Sequence, residues 1–356
     1  MNNLRVEGVY TMIKVGIIGA TGYVGQQLVG LLIRHKECEI KFISSNTYKG
    51  EPFSNVYGQY RDIFQMECID TGKVSEHLSE VDLVFIALPH GLAFETAKLC
   101  KELNVRVIDM GADFRLKDVD AYKEWYKLDH GAKDLNQEAV YGLPEVYSKE
   151  IKDAFLIGNP GCYPTASILG LMPLLKTDFI DKQSIIIDAK SGVSGAGRST
   201  KIDNLFTEVN ESLKAYGVAT HRHTPEIEQE LSNASNEKIT LSFTPHLVPM
   251  NKGILATSYV NLKEFVTQKE LYDLYKEEYK DAPFVRVIDD LPQTRWVRGS
   301  NFCDIGIRVD ERTNRIIVIS AIDNMIKGAA GQGIQNMNIM FGIDERTGLD
   351  MLPMLP

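Results

Sequence analysis

The sequence predicts an α/β doubly wound domain followed by an α+β domain with a largely antiparallel sheet. Three observations carry that reading. Over roughly the first 160 residues, short apolar runs alternate with helical stretches, the pattern of right-handed βαβ units on a parallel sheet. From about Gln183 onward the apolar runs crowd together with few helices between them, which favours antiparallel pairing. The length, 356 residues, suits two domains.

Ile13–Ile18 (IKVGII) is the first strand, closed by Gly19. Residues 23–32 form a helix with Val24, Leu28, Leu31 and Leu32 on one face, and residues 39–44 (EIKFIS) form a second strand. Val81–Leu88 is a strand ended by Pro89-His90-Gly91; a helix over 93–103 and a strand over 105–109 follow. Residues 165–175 are an apolar helix. The second region contributes strands at 184–189, 238–246, 253–261, 302–309 and 315–322. Thr224-Pro225 opens one helix there, with Thr as N-cap and Pro at the first helical position. Thr267-Gln-Lys-Glu270 has the capping-box spacing of another. A final helix is expected over about 328–341.

The charge balance, 39 Lys and Arg against 48 Asp and Glu for a net −9, argues against a nucleic-acid partner, which needs a positive field. No run approaches the ~18 apolar residues of a membrane span. The first eleven residues hold no apolar segment of a secretion signal, and they read as a short extension before Met12. Five cysteines (Cys38, Cys68, Cys100, Cys162, Cys303) are odd in number and show no CxxC spacing. Reduced thiols in a cytoplasm are therefore expected, without a disulfide framework or a metal site.

Gly19-Ala20-Thr21-Gly22-Tyr23-Val24-Gly25 lies between the first strand and the first helix. Glycines there permit a tight turn and a close backbone approach to phosphate, while the helix N-terminus offers N–H groups and a positive dipole end. An acidic residue at the end of the second strand would bind the 2′-hydroxyl of NAD. Here the chain reads Ser44-Ser45-Asn46-Thr47-Tyr48-Lys49; hydroxyls and a lysine suit a 2′-phosphate, so the expected cofactor is NADP.

Cys162, in Gly158-Asn-Pro-Gly-Cys-Tyr-Pro-Thr165, stands just before an apolar helix. A helix N-terminus stabilises a thiolate and can hold an oxyanion formed on a carbonyl bound to that sulfur. The other four cysteines sit within strand or helix patterns and read as core. A nucleophilic thiol needs a base. His221 and His223, immediately before the helix opened by Thr224-Pro225-Glu226, are the candidates, with His90 and His246 as rivals and Glu226 as a carboxylate that could orient an imidazole.

In order along the chain stand GATGYVG, LPHG, DMGADFRL, YGLPE, GNPGCYPT, SGVSGAGR, HRHTPEI, PHLVPMNKGI, GSNFCDIG and KGAAGQGIQNMNIMFG. Over residues 12–352 the sequence resembles the N-acetyl-γ-glutamyl-phosphate reductases, relatives of aspartate-semialdehyde dehydrogenase. The resemblance implies a Rossmann NADP-binding domain of residues 12–160 completed by 324–356, and a catalytic and oligomerisation domain of residues 161–323. It implies reductive dephosphorylation of a small acyl phosphate to an aldehyde through a Cys162 thioester in a homodimer or homotetramer; the acid and base is an imidazole, assigned here to His221 with His223 as the alternative. It places cofactor contacts at Gly19, Thr21, Gly22, Tyr23, Val24, Gly25, Ser44, Ser45, Pro89, His90, Ser191, Gly192, Gly195, Asn324, Lys327 and Gly328. Arg115, Asn159 and Lys252 are the expected substrate contacts, and Arg198 is a further anion candidate. Lys252 stands where the family often has arginine; it still offers a point charge. The competing readings are a related acyl-phosphate reductase, acting on aspartyl phosphate or a carrier-linked aminoadipyl phosphate, and a non-catalytic NADP-binding regulator.

Overall fold

The computed structural model describes residues 12–198 and 200–354; the N-terminal extension discussed above lies outside them. The chain divides into two compact units. One comprises the described residues up to Lys117 together with His130–Asn159 and Gly333–Leu349. The other comprises Asp118–Asp129, Pro160–Gln332 and the described residues from Asp350 onward.

In the first unit β1 (Ile13–Ile18), β2 (Cys38–Ser44), β3 (Cys68–Ile69), β4 (Leu83–Ile86), β5 (Arg106–Asp109), β6 (Val140–Tyr141) and β7 (Leu156–Gly158) form one sheet in the order β3-β2-β1-β4-β5-β7-β6. The pairings are parallel. β4 is buried at all four positions, as a strand covered on both faces should be. β1 has β2 on one side and β4 on the other, so the chain reverses its direction of travel across the sheet at the end of β1. That is the switch point at which open parallel sheets bind ligands.

The second unit holds a mixed sheet of β8 (Ile180–Gly192), β9 (Lys214–Ala215), β10 (Ser242–Val248), β11 (Ile254–Leu262), β12 (Val285–Val287), β13 (Cys303–Asp310) and β14 (Arg315–Ile322). Their order is β12-β13-β14-β11-β8-β10-β9. Four of its six pairings are antiparallel; β8–β10 and β12–β13 are parallel. The helix Cys162–Leu175 packs against β8, β11, β13 and β14, and every residue of it after Cys162 is buried. A helix apolar all round belongs inside. Pro173 removes the N–H that would bond Leu169 O; Tyr279 Oη donates to that carbonyl instead, at 2.5 Å, and Tyr275 Oη to Gly170 O at 2.7 Å. Gly170 lets the helix lie close to β14, where Ser320 Oγ would stand 3.2 Å from an added Cβ.

β8 extends beyond the expected 184–189 at both ends, β4 is shorter than the expected 81–88, and four further elements start or continue differently from expectation. The apolar helix begins at Cys162 rather than Thr165, because Gly161 supplies the extended backbone of an N-cap. Thr224 is already helical, with His223 at the N-cap position; Pro225 has no amide to lose in the first turn, so the helix can start one residue earlier. The strand expected from Lys238 starts at Ser242. The last helix is split into a π-helical turn, Ile326–Ala330, and the helix Gly331–Met340. The capping box at Thr267 and Glu270 is present.

Candidate active site

In the first unit the glycine loop follows β1 at the switch point. Gly19 has φ +83°, and a Cβ there would lie 2.4 Å from Ala87 O. A Cβ on Gly25 would lie 2.4 Å from Gly19 O and 2.6 Å from Ala20 Cα, so only glycine lets the helix start fold back on the turn. Gly22 is the N-cap of the helix Tyr23–Leu32 and brings no side-chain cap, which leaves the positive end of that helix to a ligand. Thr21 Oγ1 and Ser45 Oγ are 2.7 Å apart, and Gly19 N donates to Ser44 Oγ. The loop and the strand ends are thereby tied together by hydroxyls, and β2 ends without a carboxylate. These features fit a dinucleotide bearing a 2′-phosphate. Sequence reading missed Asp70, which follows β3 and pairs with Lys49 at 2.9 Å; the lysine beside it lowers its carboxyl. Tyr23 and Pro89 are exposed, Val24 half-buried, and His90 Nδ1 accepts from Ala112 N.

The DMGADFRL segment is built inward. Asp109 is 1% exposed and accepts from Gly111 N and Asp113 N; burial first, then Asp113, pushes its carboxyl up to about 7. Asp113 accepts from Gly91 N and Ala93 N, at the start of the helix Phe94–Leu103. Arg115 is buried, with Nε donating to Asn159 O at 2.6 Å and Nη2 to Met110 O at 3.0 Å. Asn159 is fully buried and takes Asn336 Nδ2 on its Oδ1. Both residues, expected to contact substrate, thus brace this unit through these bonds.

In the second unit Cys162 is the first residue of its helix and is half-buried, whereas Cys38, Cys68, Cys100 and Cys303 are buried. Burial pushes the Cys38 and Cys100 thiols up to about 12 and Cys68 to about 11, so those three stay protonated. The first-turn amides of Cys162 and Tyr163 have no intrahelical acceptor; Thr165 N already reaches Gly161 O, and Pro164 has no amide. The amide of Gly161 donates to Glu226 Oε1 at 2.8 Å. Glu226 is fully buried and lies in the first turn of the helix Thr224–Ser235. Expected to orient an imidazole, it ties the cysteine's loop to the helix that follows the histidines.

His221 is walled by aromatic rings: Tyr163 at 5.6 Å, Tyr216 and Phe243 at 5.4 Å, and His223 at 4.9 Å. Gly217, at φ +58°, leaves room where a Cβ would meet the His221 ring at 3.2 Å. Burial, then Arg222, lowers the His221 imidazole to about 4, so it is neutral near pH 7. Its Nδ1 accepts from His223 N at 3.1 Å, which puts the remaining proton on Nε2. Tyr216 Oη donates to Tyr163 Oη, and Tyr163 Oη to His246 O; burial raises both phenols, Tyr216 to about 12. The rival His246 places Nδ1 3.1 Å from Asp188, while the rival His90 belongs to the first unit.

Ser191, Gly192, Gly195, Lys252 and Asn324 also come together in the second unit. Gly192 N donates to Gly253 O, Val193 N to Met250 O and Ser194 N to Asn251 O. A Cβ on Gly192 would lie 2.8 Å from Lys252 N. Asn324 accepts from Gly253 N and donates to Ser194 Oγ. The expected cofactor residues therefore fall in two groups, one on each unit. Arg198 is exposed.

A parallel sheet with a glycine loop at its switch point, and a separate unit with a half-buried cysteine heading a helix and a neutral imidazole packed on the ring of the next residue, Tyr163, define a semialdehyde-dehydrogenase-like oxidoreductase. Two family models agree: the semialdehyde dehydrogenase NAD binding domain matches residues 14–154, and the semialdehyde dehydrogenase dimerisation domain matches residues 162–324. The fold is similar to aspartate semialdehyde dehydrogenase II of Vibrio cholerae complexed with ASA (TM-score 0.70, 17% identity, 93% of this chain and 98% of that one). It is also similar to the Candida albicans aspartate semialdehyde dehydrogenase with NADP (TM-score 0.69, 18% identity, 93% and 98%). Much nearer in sequence are the N-acetyl-γ-glutamyl-phosphate reductases of Clostridium novyi (54% identical, 97% of this chain and 100% of the relative), Lachnoclostridium phytofermentans (52%, 97% and 100%) and Campylobacter jejuni (52%, 95% and 98%). The chain belongs to the N-acetyl-γ-glutamyl-phosphate reductase family.

Proposed function

We propose that the chain reduces N-acetyl-L-glutamyl 5-phosphate to N-acetyl-L-glutamate 5-semialdehyde with release of phosphate, a step of arginine biosynthesis. The observation that carries the chemistry is Cys162 at the head of its helix, with its loop held at Gly161 by Glu226. Bound through the glycine loop, Ser44 and Ser45, NADPH supplies the hydride. Cys162, as thiolate, attacks the acyl carbon; the carbonyl oxygen gains charge against the first-turn amides, and the C–O bond to phosphate breaks to leave a thioester. Hydride addition to that thioester gives a tetrahedral alkoxide, and its collapse re-forms the C=O bond as the C–S bond breaks, releasing aldehyde and thiolate. His221 serves this collapse from Nε2, the nitrogen that carries its proton, by donating to the charge that develops on oxygen and sulfur. Lys252 offers a cation to the substrate's anionic groups, as Arg198 could. Incubation with acyl phosphate in the absence of NADPH should release about one equivalent of phosphate and leave an acyl adduct on Cys162 detectable by mass spectrometry. An unmodified Cys162, or full activity in Cys162→Ser, overturns the covalent route.

A reductase for aspartyl phosphate would share the fold and chemistry. Relatives at 50–54% identity bear the N-acetylglutamyl name, which favours the first reading, and comparing the two acyl phosphates as substrates decides between them. The reduced cysteines suit a cytoplasmic setting; among the described residues no helix is long and apolar enough to cross a membrane. A second copy of the chain is the partner proposed for the open face of the second sheet. Along β11, Leu255, Thr257, Tyr259 and Asn261 alternate, half-buried, with buried residues. The matched model of this region is a dimerisation domain.

A further inference from the structure

The π-helical turn Ile326–Ala330 interrupts the start of the last helix at the side of the nucleophile. A Cβ on Gly328 would lie 2.7 Å from Cys162 Cβ, 3.2 Å from Cys162 Cα and 3.2 Å from Ile322 Cδ1. The backbone of the turn thus lies against the root of the cysteine side chain, with no room for a methyl group between them. The turn itself is fixed. Asp323, fully buried directly after β14, accepts from Met325 N at 2.8 Å and Ile326 N at 3.2 Å on Oδ1, and from Gly299 N at 2.7 Å on Oδ2. Its carbonyl receives Gly328 N at 3.0 Å, and Ala330 N reaches Met325 O across the wide turn. The adjoining Lys327 is fully buried, its Nζ 6.0 Å from the Phe284 ring centre. A π-turn departs from the regular helix and often marks a functional position. Here it brings a residue without a side chain against the cysteine.

We propose that this turn is a positioning device for the nucleophile: Gly328, held by Asp323, sets where the Cys162 side chain stands relative to its helix N-terminus. The inference rests on Cys162 being the nucleophile and goes beyond the cofactor contact expected of Gly328. A shift of about 1 Å in a reacting group can cost on the order of 10²-fold in rate, and a thiol moved off a helix N-terminus loses part of the stabilisation of its anion.

The test compares the parent, Gly328→Ala and Asp323→Asn. Gly328→Ala should lower kcat by on the order of 10²-fold with little change in KM. Its iodoacetamide alkylation at Cys162, measured without NADPH so that the cofactor contact expected of Gly328 does not enter, should be slower and displaced to higher pH. Asp323→Asn should show the same changes to a smaller degree, and it carries the test if Gly328→Ala does not fold. A folded variant whose alkylation profile superimposes on the parent overturns the proposal, whether its NADPH affinity has fallen or not. Cys162→Ser distinguishes the two levels: full turnover there would remove the reading on which this one rests.

Discussion

At the scale of single residues, the protonation state of His221 decides how it can act. Its Nδ1 accepts a backbone amide, and burial keeps the ring neutral until about pH 4, so it offers a donor at Nε2. Replacement by alanine should lower kcat by about 10²–10⁴-fold, the usual range for general acid–base groups. Replacement by glutamine, whose amide can still donate, should retain clearly more activity than alanine. Steady-state rates of the two variants check this, and equal losses would remove the donor role. The acidic limb of the kcat profile should also owe nothing to His221 between pH 8 and 6. The nucleophile was legible in the sequence because GNPGC joins helix-start chemistry to a thiol. The work of Glu226 was not: spacing puts it near the histidines, and only the fold shows that its carboxylate reaches back 65 residues to the amide of Gly161.

At the scale of elements, the sequence was clearest where one physical rule dominates. IKVGII and RIIVISAI are the strands β1 and β14 with matching bounds, since apolar β-branched runs bounded by turns have few alternatives. It was least clear where tertiary contacts override local preference. The two-residue strands β3, β6 and β9 carry no periodicity of their own, and the π-turn at 326–330 depends on Asp323 and on contact with Cys162. Pro173 inside a helix is tolerated for a reason that lies a hundred residues away, in the hydroxyl of Tyr279. Tyr279→Phe should therefore leave Leu169 O without that donor and cost about 1–3 kcal/mol, measured by urea denaturation; an unchanged midpoint would mean the carbonyl finds another partner. In the glycine loop, Gly25→Ala forces a methyl group against the backbone of Gly19 and Ala20. NADPH binding should weaken at least about tenfold, a loss of some 1.4 kcal/mol, in a protein whose Cys162 still alkylates normally, because the altered loop belongs to the other unit.

At the scale of the whole molecule, buried titratable groups set how stability follows pH. His35, His130 and His221 all have imidazoles lowered by burial. Between their lowered native values and the ordinary 6.5 the unfolded chain binds the protons and the native chain does not. Their contribution is full above 6.5 and is lost as pH falls, towards about 4 for His221, at up to about 1.4 kcal/mol per pH unit for each group. Asp109 acts in the opposite sense. Raised by burial and by Asp113, it holds a proton in the native state where the unfolded chain has lost it, so its contribution falls as pH rises from the ordinary carboxylate value towards about 7. The wild-type slope between pH 5 and 6.5 sets the imidazoles against the raised carboxyls, to which Glu228 and Asp304 add in the same sense as Asp109. Asp109→Asn removes the Asp109 share of the opposing effect while keeping the side chain's size. It should lower stability at every pH, since one of the amides of Gly111 and Asp113 then faces an NH₂ group, but it should also make the dependence on pH steeper. Urea midpoints at pH 5, 5.75 and 6.5 for the two proteins measure this directly. A variant whose slope is equal to or shallower than the parent's would show that Asp109 is ionised in the native protein across that window, and that its charge is balanced by the backbone amides and by Arg115, the cation that lowers it.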